Sequence, residues 1–379
     1  MLKKILAVLL AVTFILSLAA CGKKEPTEPI DLPDKKVAVL VAPKEQYPED
    51  YLAAQELAAA YPNNVIIKEY SDSRILKAGN PPIMQLSQEL AKDSSVGAIV
   101  YARATQYTSL AISSAKNINP DLLTLCIEPE DLLDSVSSFA DLVLCADWEN
   151  AASDIISTAK KNGAKYFVMF SFNRHTENPL YAAEKSYFEN ICKENEITFI
   201  YDNSLDPTFS GGMEQSKLYA RESVARLIQN KTVEGTDVVL FSTDSSVQST
   251  LVTIARERGF MYICPSFPTA YNGVSESVDI ALPEKISDTA SYIKALSEAL
   301  PDDGGRLFAY SYPLASTLLG GAVITAFDML TGKTTAENLA ERVSLRLGDL
   351  DENSTLTVKA DEDYPNVFAC YSCGFEKLG

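Results

Sequence analysis

The stretch Leu142-Val-Leu-Cys-Ala-Asp-Trp-Glu-Asn150 divides the chain into two halves of the same rhythm. Its first five residues are continuously apolar, as in a parallel strand covered on both faces. A helical pattern follows over Asn150–Asn162, closed by Gly163, a residue suited to the position just past a helix end. Working back from it, strands are predicted at Val37–Val41, Val65–Lys68, Gly97–Tyr101 and Leu122–Ile127. Helices lie between them near Glu49–Tyr61, Pro82–Asp93 and Tyr107–Asn117. Working forward, strands at Tyr166–Phe170, Ile197–Tyr201, Asp237–Phe241 and Phe260–Cys264 alternate with helices at Pro179–Asn195, Met213–Asn230 and Ser245–Arg258. Such alternation predicts an α/β fold of two doubly wound parallel-sheet lobes joined by hinge strands. A helix at 287–300, a strand at Arg306–Tyr310, helices at Ala315–Leu330 and Ala336–Leu345, and an antiparallel-looking tail with strands near 355–359 and 366–372 complete the pattern. Residues 36–145 plus 285–345 are expected in the first lobe, and 146–284 plus 346–379 in the second.

The first 21 residues place this body outside a membrane. Lys3 and Lys4 precede an uncharged run, Ile5 to Leu18, and then Leu18-Ala-Ala-Cys21. A basic start, a short apolar core and small residues before a break read as a secretory signal over 1–20. The run is short for a bilayer span of roughly 20 residues. Residues 22–35, charged and proline-bearing, bury too little to order themselves and read as a tether. The whole chain has 379 residues, 46% hydrophobic and 22% charged, enough for two globular domains. Its net charge of −18 disfavours nucleic acid and anionic membrane surfaces as partners.

Motifs for catalysis and metal binding are thin. The single histidine, His175, reads as a polar loop residue, and no Gly-x-Ser-x-Gly elbow or HExxH accompanies it. Gly332-Lys-Thr-Thr335 lacks the first glycine of a P-loop and follows a helix. Asp349–Asn353 starts like a calcium loop, but Ser354 and Ala360 occupy the positions that need Gly and Glu. Cys370 and Cys373 lie in a predicted strand, where residues three apart face opposite ways, so they read as neither redox pair nor metal site. Cys126, Cys145 and Cys264 end apolar runs as small buried hydrophobes. No cofactor and no metal is expected.

What remains is the set of loops at the carboxyl ends of the strands, where ligands sit in doubly wound sheets. These carry Gln46, Tyr47, Arg103, Gln106, Asp147, Trp148, Asn173, Arg174, Asp244 and Phe267, with Tyr310 ending its own strand. Aromatic faces with a few polar groups form the usual lining of a small-molecule site. Asp147 and Asp244 are expected to accept from hydroxyls or amines, Arg103 and Arg174 to donate to carboxylate, phosphate or carbonyl, and Trp148, Tyr47 or Phe267 to stack on a ring.

Over roughly 36–335 the chain resembles the type I periplasmic binding proteins, which share their fold with the effector domains of lactose-repressor-like regulators. Val143–Asn150 is similar to the family's hinge strand ending in an Asp. Ala183–Lys193 looks like its helix carrying an aromatic pair, Val238–Asp244 its strand ending in a ligand-facing Asp, and Tyr310–Lys333 its late strand, proline turn and glycine-bearing helix. Where the family often has Arg to hold the ligand, this chain has Glu184. The helix at 287–300 and the tail after 335 exceed the family pattern. Leu-Ala-Ala-Cys resembles the bacterial lipobox, which implies lipidation at Cys21. Clostridial-type lipoproteins of this fold, or a branch near the nucleoside-binding basic membrane lipoproteins, are the implied relatives.

Together these imply a lipid-anchored, extracytoplasmic solute-binding protein of the cell membrane. Its lobes would close over a small polar ligand, a sugar, nucleoside or similar, for a membrane permease or a sensor. The alternatives are a sensing or scaffolding lipoprotein without transport, and a lipid-anchored enzyme, for which one histidine is little machinery. A DNA-binding regulator is not expected, because no basic helix-turn-helix segment lies between signal and first lobe.

Overall fold

The computed structural model describes residues 26–44, 47–71, 81–208, 212–267, 269–300, 306–351 and 355–378. The signal segment, Cys21 and Gln46 therefore lie outside the described residues. The strands run, in chain order, β1 Lys36–Val41, β2 Val65–Glu69, β3 Val96–Tyr101, β4 Leu123–Ile127, β5 Leu142–Ala146, β6 Tyr166–Ser171, β7 Thr198–Asn203, β8 Val238–Ser242, β9 Met261–Ile263, β10 Leu307–Tyr310, β11 Thr357–Ala360, β12 Val367–Tyr371 and β13 Phe375–Leu378. They form two sheets. The first has the order β11-β12-β5-β4-β3-β1-β2 and the second β13-β10-β9-β8-β6-β7. All neighbours are parallel except β11 on β12 and β13 on β10.

The continuous apolar runs are the inner parallel strands, as their lack of alternation requires. Every residue of Val37–Val41 is wholly buried. Helices cover both faces of each sheet. The most apolar, Leu314–Leu330, lies across the first sheet against β1, β3, β4 and β5. Gly320 and Gly321 occur where it meets helix Leu339–Leu350. A Cβ at either would run into the side chain of Leu350 or Leu347, so only glycine allows this approach.

The sheets assign the chain to lobes differently from the sequence pattern in two places. β10, expected with the first lobe, pairs with β9 in the second sheet. β11 and β12, expected with the second lobe, extend the first sheet beyond β5. The cause is long-range pairing: β10 lies between β9 and β13, and β12 between β5 and β11, so each pairs with a neighbour remote in sequence. The chain thus passes between lobes three times, at Asp147, at Ser311–Pro313 and at Ser372–Gly374. These crossings touch. Asp147 N donates to Cys370 O (2.9 Å), Ser311 N to Gly374 O (3.0 Å), and the Tyr310 hydroxyl to Ser372 O. Gly374, at φ 127°, sits against the Ser311 hydroxyl where a Cβ would not fit.

Residues 27–33 are not the free tether expected from their composition. Arg342 and Arg346, presented by Leu339–Leu350, hold them through charge. Arg342 pairs with Glu28 (2.6 Å), Arg346 donates to Glu28 O (2.9 Å), Lys333 pairs with Asp31 (2.8 Å), and Asp349 accepts from Thr27 N (2.8 Å). Ile30 packs on the core. Beneath this strap Asp328, fully buried, accepts from Arg346 at 2.7 and 3.0 Å and from Arg342 at 2.7 Å.

Among the described residues no helix is long and apolar enough to cross a membrane. Cys370 is buried in β12 and Cys373 is exposed beyond it; both are free thiols.

Candidate functional site

The carboxyl ends of the two sheets face each other, and the lobes meet across them. Glu49, at the start of helix Pro48–Ala60 in the first lobe, accepts three backbone N–H groups of the second: Ala270 (2.9 Å), Tyr271 (2.7 Å) and Asn272 (2.9 Å). Burial raises its pKa to about 7, with the neighbouring Asp50 adding to the rise against the three amide donors. Ser287 donates to Glu56 (3.1 Å from its N), and Asn178 donates to Glu130 O (2.6 Å), at other points of the same seam.

Arg103 follows β3, in a loop held to the strand ends by Ala102 N on Leu40 O (2.9 Å) and Ala104 N on Ile127 O (2.8 Å). Its guanidinium donates to both oxygens of Asp50 (3.0 and 3.4 Å). It also lies between the rings of Tyr47 and Phe267, 4.7 and 4.8 Å from their centroids. Phe267 belongs to the second lobe, so this cation–π stack spans the cleft. The sequence reads Arg103 as a ligand donor at a strand end; in the structure a buried carboxylate holds it there. Arg174 is held by carboxylates likewise. It pairs with Asp206 (3.0 Å) and Glu130 (3.5 Å) and packs on Phe172.

Arg174 and Gln106 share one cavity of about 240 Å³ with Glu130, His175, Asn178 and Tyr181. It lies between the loops after β3 and β4 and the start of helix Pro179–Glu194. His175 is no surface loop residue. It is 3% exposed and stacked on Tyr181 (3.9 Å between centroids, 2° between planes), with Phe172 against it at 4.1 Å. Burial first, and Arg174 second, hold its pKa well below the usual histidine value, so it is neutral. Its Nδ1 lies 2.9 Å from Thr243 Oγ1, and Thr243 donates its own proton to Ser171 (2.8 Å). Thr243 can then accept from Nδ1, and that tautomer leaves the lone pair on Nε2.

Glu128 ends β4 with φ 46°, a left-handed conformation uncommon outside glycine. Its carboxylate accepts from Ala146 N and from the Trp148 side chain. Burial raises its pKa. Backbone held in such a region marks functional sites more often than cores.

The remaining sequence-predicted residues do not join this group. Asp147 caps helix Trp148–Lys161, accepting from Asn150 N (3.2 Å) and Nδ2 (2.7 Å). Asp244 caps the next turn, accepting from Ser246 N (2.9 Å). Both carboxylates answer orphan N–H groups at a helix start, a role that competes with ligand binding. Asn173 is exposed, and Tyr310 belongs to the crossing segments rather than the cleft. Sequence reasoning missed Glu49, Asp50, Glu130, His175 and Tyr181. Acids in a helix's first turn read as ordinary complements of its dipole, so Glu49 and Asp50 gave no signal.

Among the described residues no group of three His, Cys, Asp or Glu side chains is placed to hold a metal ion.

Residues 35–307 match a family model described as "Protein of unknown function (DUF3798)". An uncharacterized protein of Treponema pallidum (strain Nichols) is 23% identical over 174 residues, 46% of this chain and 79% of its own length. A candidate transcriptional regulator from Clostridium difficile 630 superposes with a TM-score of 0.69 at 18% identity, over 92% of this chain and 100% of its own. An ABC transporter solute-binding protein from Clostridium phytofermentas, with L-rhamnose bound, superposes at 0.53 with 10% identity, over 92% and 96%. At these identities the likeness shows the fold, which is that of the type I periplasmic binding proteins.

Proposed function

The chain belongs to the DUF3798 family of unknown function, and from that premise we propose that it is a solute-binding protein whose lobes close over a small polar ligand. The observation that carries this reading is the cleft itself. Polar contacts tie lobe to lobe, and a cavity at their seam is lined by charged and amide side chains with the rings of Tyr181 and His175, a setting for a polar small molecule. The L-rhamnose-bound neighbour supports a ligand of that class. Binding drives closure by its preference for the closed form. A neutral histidine in an aromatic stack, with no nucleophile poised on it, favours binding over catalysis.

A thermal-shift screen of residues 22–379 against sugars, nucleosides, amino acids, amines and peptides tests the reading. A ligand at about 100 times its dissociation constant stabilises by roughly 2.7 kcal/mol, a rise of several degrees. A flat response to every class would overturn it.

The proposal includes an extracytoplasmic lipid anchor at Cys21, supported by the basic start, apolar run and Leu-Ala-Ala-Cys sequence. The full chain expressed in a bacterium with labelled palmitate should carry label in the membrane fraction, and Cys21→Ser should abolish it. Label retained by the variant would remove the anchor from the proposal. Delivery to a permease or to a sensor is the last step of the same reading; the regulator-like neighbour favours keeping the sensor as the second form of it.

A further inference from the structure

Glu184 is a buried side chain with both polar atoms unsatisfied, three residues along the helix from the cavity-lining Tyr181. It is 1% exposed, and neither carboxyl oxygen has a hydrogen-bond partner among the described residues. It lies on helix Pro179–Glu194, one turn beyond Tyr181 and on the same face, and Tyr181 lines the cavity. The titratable group facing it from the other lobe is Glu128, whose charge opposes its own. Among the described residues no cation pairs with Glu184, and the positive charge that acts on Glu128 is that of Arg103. Arg103 is held by Asp50, and Arg174 by Asp206 and Glu130. A buried polar group without a partner is costly, and a buried carboxylate more so, which demands an explanation in a folded protein. His175 adds a second acceptor, the Nε2 lone pair left by its bond to Thr243.

We propose that Glu184 is the counter-charge for a small organic cation carrying an ammonium or comparable N–H⁺ group, bound between the lobes, with His175 Nε2 accepting a further N–H or O–H of the same ligand. The inference rests on the solute-binding reading and deepens it by naming the ligand's charge. The unpartnered Glu184 carboxyl favours a cation over the anionic class that Arg103 and Arg174 suggest from sequence alone. A cavity of about 240 Å³ fits a small molecule, below the roughly 300–1,000 Å³ of drug-sized sites. Tyr181, which lines the cavity, offers its ring to a cation's hydrophobic flanks.

Burial, and then Glu128, hold the Glu184 carboxyl well above its usual range, which favours its protonated form. An ammonium that pairs with it displaces that proton to solvent, so affinity should strengthen as pH rises, until the ligand amine itself loses its proton.

The test is calorimetric titration of residues 22–379 with putrescine, agmatine and ethanolamine, with ribose, adenosine and glutamate as neutral and anionic probes. The expected result is binding of an amine, tighter at pH 8 than at pH 6. Proton release should appear as a heat that changes with the buffer's ionisation enthalpy. Glu184→Gln should weaken that amine at least about tenfold while the melting temperature is kept, since Gln is neutral and of similar size, like the protonated acid it replaces. Binding of ribose, adenosine or glutamate alone, equal in wild type and variant, would overturn the cation and leave the binding protein standing. Silence toward all six probes and toward the wider thermal-shift panel would overturn both. Should the variant not fold, the proton release and pH dependence of the wild type decide: amine binding without either refutes the role of Glu184.

Discussion

Asp328→Ala should cost about 3–5 kcal/mol of stability, the expected penalty for leaving buried charge without its partner. Asp328 is wholly buried and is the shared acceptor of Arg342 and Arg346, the latter also fully buried. Truncation leaves Arg346 with Asp349 at 3.4 Å and the strap carbonyls, and Arg342 with the half-exposed Glu28. The loss should appear in urea denaturation as a lower midpoint with an unchanged slope. Replacing Asp328 by Leu together with Arg346 by Met should recover much of it, since an apolar pair of similar volume removes both desolvation penalties. A loss below about 1 kcal/mol for Asp328→Ala would mean that water or the strap satisfies the guanidinium groups.

The second large effect concerns the seam. Glu49→Ala removes the acceptor for three N–H groups of the opposite lobe, each costing about 1–3 kcal/mol when buried and unpaired. The closed arrangement should lose most of its population, and small-angle scattering should report a larger radius of gyration. An unchanged radius would show that the stack of Tyr47, Arg103 and Phe267 holds the lobes unaided. The same residue gives closure a pH dependence of definite sign. The closed form raises the Glu49 pKa from 4.5 to about 7, so it binds a proton that an opened, solvated Glu49 gives up. Closure is therefore fully favoured below about pH 4.5 and weakens as pH climbs to about 7, by about 3 kcal/mol once the group is ionised. Asp50, also raised by burial, acts in the same direction. Glu49→Gln should flatten the scattering profile between pH 5 and 8; an equally steep profile would move the effect to Asp50 or Glu128.

Legibility in the sequence followed the range of the interactions. The inner strands β1, β3, β4, β5, β6 and β8 were readable because burial on both faces writes itself as an unbroken apolar run. The lobe of β10 and β12 was not, since membership of a sheet depends on a neighbour remote in sequence. The strap at 27–33 read as free chain because its order comes from Arg342, Arg346 and Asp349, more than 300 residues away. In the site, the strand-end rule located Arg103 and Arg174. It could not reveal that Asp50 and Asp206, on other elements, already neutralise them. Asp147 and Asp244 have partners two or three residues on, and an aspartate before a helix also serves as a cap, a local role the strand-end rule does not register. Glu184 was visible as a departure from a resembling pattern, and only the packing around it showed that its carboxyl is left without a donor.

The strap also decides which half of the molecule moves. Residues 27–33 are fastened to the helices over the first sheet, with Asn64 holding Pro33 O (2.7 Å), and the contacts described for them involve no part of the second lobe. Any grip on the chain ahead of residue 27 therefore makes the first lobe the stator and the second the rotor. In a closing motion of the proposed kind, the three touching crossings would serve as the bearing. A partner that senses occupancy would read the position of the second lobe against a frame fixed by the first.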